Sequence, residues 1–202
     1  MRAEGQLLVA TTNTGKLREY QRLLADLPVK LYALKDLAER LPEVAETGAT
    51  FEENALLKAR TYSAQAKLPV LADDSGLMVD ALDGAPSVYS ARYAPTAPAR
   101  NAKLLAALAD VPIEQRTARF VCVIAVVVPL TDGALTAIAE GHLEGRIAFE
   151  ARGQNGFGYD PIFLLPDGRT LAELLPAEKD AISHRGKALA KLKPLLLPML
   201  SL

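Results

Sequence analysis

Apolar and polar residues follow one another along this chain in blocks, and the blocks predict its elements. QLLVAT (6–11) is a compact apolar run of strand length, and TNTGK follows it as a polar turn. From Lys16 to Leu24 the residues Leu17, Tyr20, Leu23 and Leu24 recur at helical spacing, so the chain opens as strand, turn, helix. VKLY (29–32) reads as a second strand and residues 41–49 as loop. Thr50 and Glu53 have the spacing of a capping box, which starts a helix striped by Phe51, Ala55, Ala59 and Tyr62. Asn54 and Lys58 lie one turn apart, within about 60° of Phe51 on the inward side. Such a pair is either a lysine snorkelling past its neighbours or the rim of a buried polar site.

PVLADD reads as a third strand, with a turn at Ser75-Gly76 after which LMVDAL extends it. Residues 83–98 are rich in Pro and Gly, and Ala97 to Ala109 is a helix. ARFVCVIAVVVP and ALTAIAEGHLEG are long β segments separated by TDG, a hairpin signal. GQNGFGYDPIF (153–163) carries three glycines and reads as a specialised loop. Ser183 to Leu196 closes the chain as a helix with Leu189, Leu192 and Leu196 inward. Helices and strands alternate at first and a hairpin comes late, which predicts an α/β fold with a mixed sheet.

Composition narrows the function classes. The 202 residues suit one domain, or one domain with two lobes, over residues 1–202. Lys+Arg 23 against Asp+Glu 24 gives net charge −1, so no general attraction to a nucleic acid polymer or an anionic membrane is expected. Cys122 is the single cysteine, which excludes an internal disulfide, and no zinc spacing is present. MRAEGQLLVATTN lacks a signal-peptide pattern, and the run from Val121 to Leu130 is about half the length of a membrane helix. A cytoplasmic protein is the expectation.

Three clusters could carry chemistry. The turn Thr11, Thr12, Asn13, Thr14, Gly15, Lys16 offers backbone N–H groups, a helix N-terminus and one positive charge to an anion; a plain helix cap is the rival reading. The acids Glu46, Asp73 and Asp74 suit Mg²⁺, which takes one or two carboxylates plus substrate phosphates. Neighbours on a strand point to opposite faces, so Asp73 and Asp74 converge only if the chain turns at Ser75-Gly76. Finally, FGYD (157–160) and SHR (183–185) offer an aromatic face, an acid and cations, as a purine pocket requires. The alternative for these is an ordinary turn and a capped helix.

Taken together, TTNTGK, ETGATFEENALLKA, ADDSGLMVDALDGAPSVYSARYA, GFGYDPIF and EKDAISHRGKAL occur in the order and approximate spacing of one family. The chain resembles the inosine triphosphate pyrophosphatases, also called dITP/XTP pyrophosphatases, from about Leu8 to Leu192. No motif position departs from the pattern. The resemblance implies an elongated central mixed sheet flanked by helices, two lobes with a cleft between them, and a homodimer. It implies Mg²⁺-dependent hydrolysis of ITP, dITP and XTP to the monophosphate and pyrophosphate, with Mn²⁺ as a substitute, clearing deaminated purine nucleotides from the pool.

Carried over by motif, Asp74 is catalytic base and metal ligand, with Glu46 and Asp73 in the same acidic site. Thr11 to Lys16 hold the phosphates. Ser75, Phe157, Gly158, Tyr159, Asp160, Lys179, His184 and Arg185 bind substrate. Inosine and xanthine present O6 where adenine presents an amino donor, and His184 and Arg185 can donate to O6. For the homodimer, residues 83–98 supply Val88, Tyr89 and Tyr93, which either face a partner or pack under their own loop. Two other classes stand beside this one: a pyrophosphatase for modified pyrimidines or methylated bases, and a nucleotide-binding protein without turnover. An aspartyl-nucleophile phosphatase would need DxDx[TV], which DDSG does not supply.

Overall fold

Strand formation follows the apolar blocks closely. In the computed structural model, which describes residues 5–201, β1 is Gly5–Val9, β2 Val29–Ala33, β3 Val70–Val79, β4 Thr117–Leu130, β5 Gly133–Ile147 and β6 Phe163–Leu164. They are hydrogen-bonded in the order β2-β1-β3-β4-β5-β6. β1 runs parallel to both β2 and β3, and Leu7, Leu8 and Val9 are wholly buried, as a parallel strand covered on both faces requires. β4 and β5 are joined by Thr131-Asp132 alone, a connection too short for anything but antiparallel strands, and β6 pairs antiparallel with β5. The expected mixed sheet flanked by helices is what forms.

The helices are α1 Thr14–Leu23, α2 Phe51–Ala66, α3 Ala97–Ala107, α4 Pro176–Ile182 and α5 His184–Leu200. At α2 the capping box is complete: Thr50 Oγ1 accepts from Glu53 N and the Glu53 carboxylate accepts from Thr50 N. Its stripe of Phe51, Ala55, Ala59 and Tyr62 is buried as predicted. α4 was not expected. Its start carries Pro176 in the first turn and a Glu178 carboxylate that accepts from Leu175 N at 2.8 Å, but no Ser or Thr precedes it to advertise a cap. Extended Ser183 separates it from α5. α5 buries Leu189, Leu192 and Leu196, accommodates Pro194 within that stretch, and continues past Leu196 through Pro198 to Leu200. No helix among the described residues is long and apolar enough to cross a membrane.

By its internal contacts the chain divides into two compact units, the division falling within β3, β4 and β5. The first holds the residues up to Asp74, Cys122–Gly141, and the chain from Arg185 onward. Its core gathers Leu7, Val9, Tyr20, Leu71, Ile124, Val126 and the inward leucines of α5. The second comprises Ser75–Val121 and His142–His184, with a core of Leu77, Leu104, Phe120, Ile147, Ile162, Phe163 and Leu171. Each core is apolar and contiguous, and burying one Leu of this kind contributes about 1.5–3 kcal/mol.

One expectation is overturned. β3 runs unbroken through Asp73, Asp74, Ser75 and Gly76, with no turn at Ser75-Gly76. The strand lies between β1 and β4 in the sheet, whose pairing keeps it extended, so its two acids do not converge. They meet different partners instead.

Candidate active site

The turn after β1 acts first as a cap. Asn13 Oδ1 accepts from Gly15 N at 2.8 Å and Lys16 N at 3.2 Å, and Thr11 Oγ1 accepts from Asn13 N at 3.2 Å. This fixes the first turn of α1 and leaves Thr12, Asn13 and Thr14 exposed at its positive end. Thr11 to Thr14 also line a cavity of about 500 Å³ whose wall includes Lys35, Arg40 and Tyr62. Lys16, two residues further, turns inward and places Nζ 2.9 Å from Asp73 Oδ2.

Asp73 is buried under cations. The same Oδ2 accepts from Arg185 Nη2 at 3.2 Å and lies 3.7 Å from Cys122 Sγ, while Oδ1 has no hydrogen-bond partner among the described residues. Arg185 is 1% exposed, and its other terminal nitrogen donates to Glu19, which is also buried. The result is a chain of alternating charges, Glu19, Arg185, Asp73, Lys16. Burial alone would raise the Asp73 pKa, but Lys16, Arg185 and Lys58 outweigh it and hold the carboxyl well below the usual carboxylate range.

Asp74, the next residue, has the opposite surroundings. Asn54 Nδ2 donates to its Oδ2 at 3.0 Å, and Lys58 Nζ stands 3.9 Å from Oδ1. Lys58 makes its close contact with Glu46 instead. Desolvation therefore dominates at Asp74, with Glu46 adding to it against Lys58, Lys16 and Asn54, and the pKa rises. Asn54 and Lys58, the polar pair on the α2 stripe, are thus the rim of a buried polar site. Asn54 ties the preceding loop in place as well, for its Oδ1 accepts from Gly48 N at 2.8 Å. A Cβ at Gly48 would lie 2.8 Å from that oxygen and 2.7 Å from Glu53 Cβ, so only glycine fits there.

In the second unit the glycine-rich segment folds around one carboxylate. Gly153, Gly156 and Gly158 have φ of 84°, 73° and 65°, the left-handed region. Asp160 Oδ2 accepts from Phe157 N at 2.7 Å and from Lys179 Nζ at 2.5 Å, and a Cβ on Gly156 would sit on that carboxylate. Lys179 Nζ is 4.7 Å from the centre of the Phe157 ring. Tyr159 points inward: its OH donates to Ser90 O at 2.9 Å, and burial raises its pKa. Of FGYD, Phe157 and Gly158 alone are half-exposed. His184 is buried with its imidazole stacked on Phe120, the centroids 4.7 Å apart.

The structure thus gathers Lys16, Glu46, Asp73, Asp74 and Arg185 in the first unit, and Phe157, Asp160 and Lys179 in the second. Ser75 follows Asp74 on β3 and is half-buried. Sequence reasoning missed Glu19 and Phe120, and it left the part of Asn54 and Lys58 open. Lys16 and Glu19 are one helical turn apart beside the Tyr20 stripe, the same signal that singled out Asn54 and Lys58.

The donors available to a metal are hard carboxylate oxygens, which suit Mg²⁺ or Mn²⁺ rather than a soft ion. Among the described residues no group of three or more His, Cys, Asp or Glu is close enough to hold an ion by itself. Asp74 provides one carboxylate of the kind Mg²⁺ takes when substrate phosphates complete its shell, whereas Asp73, its neighbour on an unbroken strand, is engaged by Lys16 and Arg185.

The chain is similar to known proteins over nearly its whole length. A protein from Geobacillus kaustophilus named dITP/XTP pyrophosphatase is 54% identical over 191 residues, covering 93% of this chain and 92% of that protein. One of the same name from Symbiobacterium thermophilum is 52% identical over 190 residues, covering 94% and 93%. The solved structure of a HAM1 protein from Coxiella burnetii superposes with a TM-score of 0.84 at 47% identity, covering 96% of this chain and 98% of that one. The model of the Ham1 family matches residues 7–195, and the chain belongs to that family.

Proposed function

We propose that this protein hydrolyses deaminated purine nucleoside triphosphates (ITP, dITP and XTP) to the monophosphate and pyrophosphate. The observation that carries the reading is the division between adjacent carboxylates. Asp73 is consumed by Lys16 and Arg185, whereas Asp74 accepts from the Asn54 amide and has Lys58 no nearer than 3.9 Å. Two neighbouring acids pushed apart in this way suit a fixed anion and a general base. Asp74 accepts the proton of the attacking water, which approaches the α-phosphorus in line with the departing pyrophosphate. Lys16 and the N–H groups of the Thr11–Gly15 turn receive the phosphates, and Lys16 is held in place by Asp73.

Mg²⁺ is the metal this reading assigns, with Mn²⁺ as a substitute; Asp74 would hold it, with Glu46 beside it, while Asp73 is kept by Lys16 and Arg185. When bound it neutralises charge on the leaving pyrophosphate. The base is assigned to the second unit. Phe157 stacks on the purine, backed by Lys179, whose Nζ is 4.7 Å from the centre of the Phe157 ring, and His184 donates to O6. Adenine would set a donor against that donor. Arg185, held by Glu19 and Asp73, serves in this reading by fixing Asp73.

An enzyme that clears the nucleotide pool works in the cytoplasm. A homodimer completes the reading: Tyr89 is 65% exposed under Arg92, whereas Tyr93 packs on its own core beneath Lys103, 4.1 Å from its ring centre. Light scattering of Tyr89→Glu beside the wild type tests that surface. The test of the activity is pyrophosphate release from ITP, XTP, dITP, GTP and ATP with and without Mg²⁺. Release from ITP, dITP and XTP that needs Mg²⁺ and far exceeds that from ATP is expected; equal rates on all five would overturn the assignment.

A further inference from the structure

His184 is held by a column of rings. Its imidazole lies on Phe120 with centroids 4.7 Å apart and planes 10° from parallel. Phe120 in turn meets Phe163 at 4.7 Å and 41°. Phe163 is wholly buried and is braced by the backbone of β5: a Cβ at Gly145 would lie 2.6 Å from its ring edge. All four residues belong to the second unit. Phe120 and His184 are both buried, so the stack is enclosed by the core of that unit.

The terminal torsion of histidine is broad and roughly two-fold, so nothing in the side chain fixes the plane of its ring. A ring stacked face to face does fix it, because rotation about that torsion would drive the imidazole edge into its neighbour. The plane matters because a ring N–H donates within it, and a hydrogen bond weakens steeply as its angle falls toward about 120°. A histidine that separates an acceptor from a donor at the purine 6-position therefore needs that plane set in advance.

We propose that Phe120, backed by Phe163 and Gly145, is a positioning residue that sets the plane of His184 and thereby the selectivity for 6-oxo purines. The inference rests on the reading that His184 contacts the base. Phe120 touches neither phosphate nor metal in that reading. Its loss falls on base recognition, in KM and in the choice between substrates, and leaves kcat with ITP within about threefold.

The test is Phe120→Leu, which keeps an apolar side chain and removes the ring, with Phe120→Met as a second variant should leucine not fold. Selectivity for ITP over ATP, as a ratio of kcat/KM, should fall about tenfold, the loss of one well-aligned hydrogen bond. The chain has two histidines, so proton NMR gives an independent readout. Removing the ring should move the His184 ring C–H signals downfield, out of the shielding region above Phe120, and leave those of His142 in place. His184→Asn separates the two levels. If it loses selectivity while the folded Phe120 variants keep it, Phe120 does not position His184. If His184→Asn also keeps selectivity, the reading that His184 contacts the base fails, and the inference with it. Absence of nuclear Overhauser contacts between the His184 and Phe120 rings in the wild type overturns the stack directly.

Discussion

The polar cluster of the first unit and the loop of the second solve the same problem by different means. In the first, apart from Glu46 on the loop before α2, the polar and charged groups stand on regular elements: Glu19 and Lys16 on α1, Asn54 and Lys58 on α2, Asp73 and Asp74 on β3, Arg185 on α5. Each is fixed by its helix or strand, and each buried charge is met by an opposite one. In the second, Phe157 stands on a segment of left-handed glycines, and a single carboxylate, Asp160, ties it down through Phe157 N and Lys179. Charge that must be placed within fractions of an ångström sits on rigid elements, whereas the aromatic face proposed to receive a flat base tolerates a loop. The first cluster is therefore brittle to substitution and the second adjustable.

The sharpest break in that contrast is Arg185→Gln, which leaves Glu19 and Asp73 buried without their shared cation. It should cost about 3–5 kcal/mol of stability, read by urea denaturation, and abolish activity with it. Asp74→Asn should do the reverse, keeping the melting temperature and lowering kcat by about 10²-fold or more. If Asp74→Asn retains wild-type turnover in saturating Mg²⁺, the base passes to Asp73 and the contrast between the two acids collapses. Lys16→Ala should weaken ITP about tenfold more than IMP in equilibrium binding, since its charge is aimed at the phosphates that leave. Asp160→Asn leaves the buried Lys179 without its counter-charge and so also lowers stability, but on the folded enzyme it should have the mildest kinetic effect, a rise of about three- to tenfold in KM with kcat kept, because it moves no charge at the phosphates.

Acid titration separates the two aspartates by sign. The folded-state pKa of Asp73 is depressed, so its contribution to stability is present above the ordinary value of about 3.9 and is lost as pH falls through the folded one. That of Asp74 is raised, so the folded state holds its proton more tightly, and its contribution is fully present below about 3.9 and lost as pH rises through the folded value. Melts run from about pH 6 downward should show a steep acid loss that Asp73→Asn flattens. The rate should fall on the acid side above the ordinary aspartate value, and that limb should move when Asn54→Ala removes the donor to Asp74.

Much of the fold was legible because its signals are local. The Thr50–Glu53 box, the Phe51–Tyr62 stripe, the TDG hairpin and the leucines of α5 are each decided within a few residues of chain. α4 was hidden because its cap is a carboxylate at the third helical position beneath Leu175, without the Ser or Thr that marks most helix starts. At Ser75-Gly76 local turn chemistry lost to the sheet, where β3 lies between β1 and β4. The motifs found the acids but not their division of labour, because the partners of Asp73 come from residues 16, 122 and 185, and those of Asp74 from residues 46, 54 and 58. Glu19 was passed over as one more helical acid, and its meaning appears only when residue 185 folds back onto it.

Cys122 gives the buried network a reporter of its own. Its thiol is fully buried beside Asp73 Oδ2, and burial together with that carboxylate pushes its pKa up, so in the folded chain it is neither accessible nor ionised. A disulfide reagent can then reach it only when the core of the first unit opens. Labelling under native conditions becomes a clock for that opening, with no engineered tag and no second thiol to confuse it. Since the motion that uncovers the sulfur also strips Asp73 of Lys16 and Arg185, the time course of labelling and the time course of inactivation should be one curve.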